Sequence, residues 1–320
     1  MARLSHRRDP GECDNGCMRL LTFKPRRGGG TRVGMMLGGE RVLDVGAAAK
    51  RARQRLPFDA GDMLSLVASG RAGLAVLRKL ARGAAGKGAS LGALRVLAPI
   101  PRPRKNVFCV GWNYLEHFAE GARARPQVQE MPAHPAFFTK APTAVNGPFD
   151  PIPLHAGVTE KLDWEVELGV VIGRGGRNIA EADAMKHVFG YTVVNDVSAR
   201  EVQRQHGQQW FKGKSLDGTC PMGPWIVTAD EVPDPHALRV ICRLNGAVKQ
   251  DSSTVHMYFR IPRIIAELSA ALTLEPGDII STGTPAGVGH ARTPPEFLRA
   301  GDLLETEVAG IGVLRNRIGG

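Results

Sequence analysis

Residues 161–173 read KLDWEVELGVVIG, with three carboxylates, Asp163, Glu165 and Glu167, in five residues before an apolar run. In a strand, the period of two sets Glu165 and Glu167 on one face and Trp164, Val166, Leu168 and Val170 on the other. Like charges side by side destabilise a strand unless a proton or a cation lies between them. A solvent-washed face that leaves both acids wet is the alternative at this point.

A fourth acid stands at a strand end in FGYTVVNDVSAREVQ, residues 189–203, where Asn195-Asp196 precedes a helical pattern. Asp196 can cap that helix, or it can join Glu165 and Glu167 around a hard divalent ion such as Mg2+ or Mn2+. No Cys or paired-His ligand pattern accompanies the acids, which argues against zinc.

The rest of the chain supports a β-rich α+β protein. It has 320 residues, 43% of them hydrophobic, enough for one large core or two smaller ones. Residues 1–17 are polar and charged and are expected to be a disordered tail, with Met18 a possible natural start. Residues 18–103 read as a small α+β domain: short strands in RLLTFKP, TRVGMML and ERVLDVG, then a helix in DMLSLVASGRAGLAVLRKLARGA. Prolines 99, 101 and 103 mark a linker, so the larger domain is expected over 104–320. There, short Val/Ile-rich runs dominate, and helical spacing is confined to NYLEHFAEGA, SAREVQRQ and IPRIIAELSAALT, the last expected to stop near Pro276-Gly277.

Composition narrows the function classes. Residues 1–105 hold 22 basic against 7 acidic side chains, whereas the remaining 215 hold 20 against 24. The basic third has only Phe23 and Phe58 as aromatics and no zinc-finger or RNP pattern, so nucleic-acid binding through it is a remote reading beside a solvated basic surface. Five cysteines, Cys13, Cys17, Cys109, Cys220 and Cys242, make no disulfide framework. No apolar segment is long enough to span a bilayer and no signal-peptide core follows the first arginines, so a cytoplasmic protein without membrane or nucleic-acid partners is expected.

Four segments, DWEVELGVVIG, GYTVVNDVSAREVQ, KGKSLDGTCPMGPWIV and DIISTGTPAGVG, stand in the order and spacing that resemble the fumarylacetoacetate hydrolase family, over about residues 105–318. The resemblance implies a mixed β-roll catalytic fold, a homodimer, and Mg2+ or Mn2+ held by Glu165, Glu167 and Asp196. It implies substrates that chelate such an ion, 2-oxo or 2,4-dioxo acids. His117 and Glu120, one helical turn apart in CVGWNYLEHFAEG, form a surface pair on spacing alone; the family pattern makes them a catalytic dyad. Lys214 matches the family's active-site lysine, with Lys212 the competitor. Tyr114, Arg200, Gln203 and Thr284 match substrate-orienting positions, although Arg200 can equally make a structural ion pair and Thr284 can merely support its turn. Trp112 departs from the Arg or Leu that many members carry there. Arg123 and Arg125 in GARARPQVQEMPAHP can meet a second substrate carboxylate or face solvent.

The leading expectation is a metal-dependent hydrolase that cleaves a carbon–carbon bond of an acylpyruvate or fumarylpyruvate from aromatic catabolism. The alternative keeps the same site but uses it as an oxaloacetate decarboxylase or tautomerase, or as a hydroxymuconate-type isomerase or hydratase.

Overall fold

Val166–Ile172, the apolar end of the opening stretch, is a strand buried along its whole length. That rules out the solvent-washed face. It belongs to a computed structural model that describes residues 18–26, 28–38, 40–84, 88–121 and 130–319. The expected tail, with Cys13 and Cys17, and the arginines at 123 and 125 lie outside the described residues.

The first part contains strands β1 (Arg19–Pro25), β2 (Arg32–Leu37) and β3 (Arg41–Asp44), helices α1 (Val45–Arg51) and α2 (Met63–Arg82), and strands β4 (Ala89–Ser90) and β5 (Leu94–Leu97). Asp62 starts α2 by accepting the amides of Leu64 and Ser65, and Lys79 and Arg82 sit in its last turn, where the helix dipole favours cations. Its inner face, Met63, Leu66, Leu77 and Leu80 among others, is buried.

Next come β6 (Val107–Gly111), α3 (Leu115–Glu120), β7 (Ala136–Lys140), β8 (Val145–Asn146), β9 (Ile152–Pro153), β10 (Leu162–Asp163) and β11 (Val166–Ile172). After them follow β12 (Val188–Asn195), β13 (Ser198–Ala199), α4 (Arg200–Gln205), α5 (Phe211–Lys214) and β14 (Cys220–Thr228). The chain ends with β15 (Arg239–Leu244), β16 (Ala247–Ser253), α6 (Ile261–Ser269), β17 (Ile279–Ser281), β18 (Leu303–Val308) and β19 (Gly312–Gly319). Helix α6 stops well short of Pro276: Ala271 takes a positive φ of 57°, and Leu274 turns away to bridge Gly176.

The main sheet runs β4-β3-β2-β1-β14-β12-β11-β17-β6-β7, with β5 on β1 and β8 on β14. A five-stranded sheet, β16-β15-β18-β19-β9, packs over β11 and β12. On the other side Val171, Val194 and Ile279 share a buried cluster with Leu66 and Leu77 of α2. The central strands are therefore covered on both faces, which explains their continuous apolar sequence. Among the described residues no helix is long and apolar enough to cross a membrane.

Candidate active site

Register brings the three acids together. β11 and β12 are antiparallel, with Val166 opposite Asn195 and Glu167 opposite Val194. One step further along the pair, the Asp196 amide donates to the Glu165 carbonyl at 2.9 Å. One carboxylate oxygen from each of Glu165, Glu167 and Asp196 lies within 4.8 Å of the others, and all three residues are buried. Such an all-oxygen donor set can hold a hard divalent cation.

Positive side chains surround these acids. Lys214 Nζ donates to Glu165 Oε2 at 2.8 Å and to Asp196 Oδ2 at 2.7 Å, and Arg200 Nη1 meets Glu165 Oε1 at 2.7 Å. Burial pushes the Glu165 carboxyl up, but Lys214, Arg200 and His117 outweigh it and hold Glu165 well below the usual carboxylate range. Burial also opposes the Lys214 charge, yet Asp196 and Glu165 prevail and push its pKa up to about 12. Glu167 differs. Burial and repulsion from Asp196 and Glu165 push it well above the ordinary value, although Ser281 Oγ at 2.5 Å and the Gly283 amide at 2.8 Å both donate to its Oε2. A divalent cation among the three acids relieves that repulsion, so these residues fit the implied ion.

β17 lies beside β11 and, on its other side, runs parallel to β6. The turn after β6 carries Asn113, whose buried amide bonds the carbonyls of Phe259 and Thr282 at 3.0 and 2.7 Å. That staple sets the start of α3. Within α3, His117 Nδ1 and Glu120 Oε1 are 2.8 Å apart, and Glu120 Oε2 accepts the Gly287 amide at 2.8 Å. The pair is not a loose surface contact, because its acid is tied to the GTPAGVG loop.

His117, Glu165, Glu167, Arg200, Gln203, Lys214 and Thr284 all line one cavity of about 520 Å3. Asp196 lies beneath it, covered by Lys140 and Lys214. Tyr114 does not line it: its hydroxyl is buried with no hydrogen-bond partner, and burial and the nearby Glu167 raise its pKa. Arg200 is both ion-paired and cavity-lining, and its Nη2 is buried with no hydrogen-bond partner. Thr284 Oγ1 donates to the Val166 carbonyl at 2.9 Å and accepts from Gln250 at 2.8 Å. Lys212 is exposed.

Two further charged residues escaped sequence reasoning. Lys140, fully buried at the end of β7, donates to Asp196 Oδ1 at 2.7 Å and to the Val197 carbonyl at 2.9 Å. Asp163, visible in the acid cluster but without an assigned role, accepts Arg200 Nε at 2.8 Å and the amides of Gly289 and His290 at 2.7 and 3.0 Å. It ties the guanidinium to the loop after β17. Nothing in AFFTK marks its lysine, whereas the tight spacing of Asp163 to Glu165 could have flagged the aspartate.

Comparison with known proteins places this geometry. The model described as "Fumarylacetoacetate (FAA) hydrolase C-terminal" matches residues 106–319. The chain is 43% identical over 295 residues to oxaloacetate tautomerase YisK of Bacillus subtilis, covering 90% of this chain and 96% of that one. It is 42% identical over 305 residues to the mitochondrial oxaloacetate tautomerase FAHD2A of Bos taurus, covering 94% and 91%. Among solved structures, maleylpyruvate hydrolase from Sphingobium sp. SYK-6, in complex with manganese(II) and pyruvate, superposes with a TM-score of 0.72 at 29% identity, covering 94% of this chain and 99% of that one.

The expected carbon–carbon hydrolase of aromatic catabolism is thereby corrected. The two curated relatives that are 42–43% identical along almost the whole chain are named as oxaloacetate tautomerases, whereas the hydrolase that covers a similar span stands at 29%. The motif residues could not make that distinction, because hydrolysis and tautomerisation both require a stabilised enolate and so place the same groups around it. With the family model covering two-thirds of the chain and these identities extending over 90–94% of it, the chain belongs to the fumarylacetoacetate hydrolase family.

Proposed function

We propose that this protein interconverts the enol and keto forms of a 2-oxo dicarboxylic acid of the oxaloacetate type, with Mg2+ or Mn2+ held by Glu165, Glu167 and Asp196. The observation that carries the reading is the 43% identity to an oxaloacetate tautomerase across 90% of this chain. When bound, the ion polarises the 2-oxo group and lowers the energy of the enolate.

The chain's own residues handle the proton. His117 Nδ1 is engaged by Glu120, which leaves Nε2 to take a proton from C3 of the keto acid or return it there. Glu120, fixed by the Gly287 amide, sets the tautomer and steadies the imidazolium. In the keto-to-enol direction the C3–H bond breaks, its electron pair forms the C2–C3 double bond, and the 2-oxo oxygen gains a proton. No water is consumed. Lys214 keeps its proton and donates a hydrogen bond to the developing oxyanion instead of acting as a base. Arg200 Nη2 supplies a donor for a substrate carboxylate and Gln203 orients the acid from the wall, while Thr284, whose hydroxyl proton is committed to the Val166 carbonyl, braces that wall.

In this reading residues 18–103 form a small α+β unit whose strands extend the catalytic sheet through the pairing of β1 with β14, and residues 104–320 supply the site. The exposed Leu115, Phe137 and Phe211 support pairing of two copies as a homodimer. The test is the decay of enol oxaloacetate in the ultraviolet with Mg2+, coupled to a dehydrogenase that consumes only the keto form. Acceleration that disappears with chelator is expected; an uncatalysed rate at micromolar protein, or carbon dioxide release that outpaces ketonisation, would overturn the reading.

A further inference from the structure

One half of the cavity is charged and the other is aromatic. Trp112, Phe138 and Trp210 line it, each half-buried, so each has ring surface left for a ligand. Trp210 meets Trp112 at 4.8 Å and Phe138 at 5.2 Å between ring centroids, both edge-to-face, and Phe118 buttresses Trp112 at 6.1 Å. The wall is held in position. A Cβ on Gly111 would lie 2.2 Å from the Trp210 ring, so β6 must end in glycine for the indole to sit there. Trp112 itself holds a φ of 54°, a conformation that bulky residues adopt only when their surroundings impose it. Lys214 Nζ lies 5.0 Å from the centre of the Phe138 ring, so the aromatic surface begins right beside the ammonium that faces the acids.

A four-carbon diacid has groups to match the charged half and nothing to meet the aromatic one. The cavity, at about 520 Å3, is of the size that encloses drug-like ligands. We infer that the site also takes 2-oxo acids bearing an aromatic ring on C3, the arylpyruvates, with the ring against Trp112 and Trp210. This rests on the proposed enol–keto chemistry and extends its substrate class. The proton balance is unchanged: the enol O–H is lost, C3 gains a proton, and no other reactant enters. Edge-to-face and stacked contacts with the indoles hold the ring, while Arg204, Gln208 and Gln209 line the cavity as polar partners for a ring substituent.

The experiment measures Mg2+-dependent ketonisation of enol phenylpyruvate and of enol oxaloacetate, with the wild type and with Trp112→Leu, Trp210→Leu and Trp210→Phe. Saturable turnover of phenylpyruvate by the wild type is expected. The two Leu variants should lose roughly ten-fold more kcat/KM on phenylpyruvate than on oxaloacetate, and Trp210→Phe, which keeps a ring, should retain most of it. Wild-type turnover of oxaloacetate without phenylpyruvate, or equal losses on both substrates, overturns the inference and leaves the proposed function standing. Failure on both substrates overturns both. The wild-type comparison decides even if a variant fails to fold.

Discussion

The amide of Gly287 donates to Glu120 at 2.8 Å, while the other oxygen of the same carboxylate meets His117 at 2.8 Å. The loop after β17 thus positions the proposed base on α3, a separate element of the chain. Positioned general bases contribute about 10²–10⁴-fold. His117→Ala is expected to lower kcat by that order, and Glu120→Gln by less, because the amide still meets the ring but cannot balance its charge. Stopped-flow enol decay checks this, and calorimetric Mg2+ binding close to wild type in His117→Ala separates proton transfer from ion binding.

Lys140 and Asp196 form a pair with no solvent exposure at either side chain. Removing one member of a buried pair costs about 3–5 kcal/mol. Lys214 still serves the other Asp196 oxygen, so Lys140→Met should fall near about 3 kcal/mol in urea unfolding. A loss no larger than that of an exposed lysine such as Lys212→Met would show that the pair does not hold the strand ends together.

In the proposed ion site Glu167 is crowded against two other acids, Glu165 and Asp196. Saturating Mg2+ at roughly a hundred times its Kd should add about 2.7 kcal/mol of stability, visible as a rise in Tm. Glu167→Gln should abolish most of that rise. Chelator should remove turnover and Mn2+ or Mg2+ restore it; a Tm indifferent to both ions would remove the acids from ion binding.

His236 offers a pH test remote from the chemistry. Its Nε2 accepts the Ile261 amide at 3.2 Å at the start of α6, which requires the neutral ring. Burial, then the Arg260 charge, hold its pKa below the ordinary imidazole value. The folded state therefore binds the proton less readily than the unfolded chain. Its stabilising contribution is complete above about pH 6.5 and declines as pH falls toward the lower folded value. The stability gap between wild type and His236→Gln should narrow from pH 7.5 to 5.5; a constant gap would show that the ring does not titrate on unfolding.

The acids of the site were legible because alternation and a strand-end position leave a local mark, and β11 and β12 needed only to pair for Glu165 to face Asp196. The lysine and aspartate that brace them were not. Lys140 finds Asp196 across 56 positions, and Asp163 finds Gly289 across 126, with no periodicity linking either pair. Helix α5, four residues long, is too short for helical spacing to register. Trp112 was visible as a departure from relatives, but its meeting with Trp210 depends on how the residue that starts α5 is brought back against the end of β6. The reaction outcome left no local mark either, since one set of groups serves several fates of the same enolate.

The pairing of β1 with β14 carries a practical warning. Trimming the chain to the span recognised by the family model would strip away β1 and leave a hydrogen-bonding rim of β14 bare in the middle of the sheet. Uncovered rims recruit other chains, so such a fragment should clump on expression even with every reactive side chain intact.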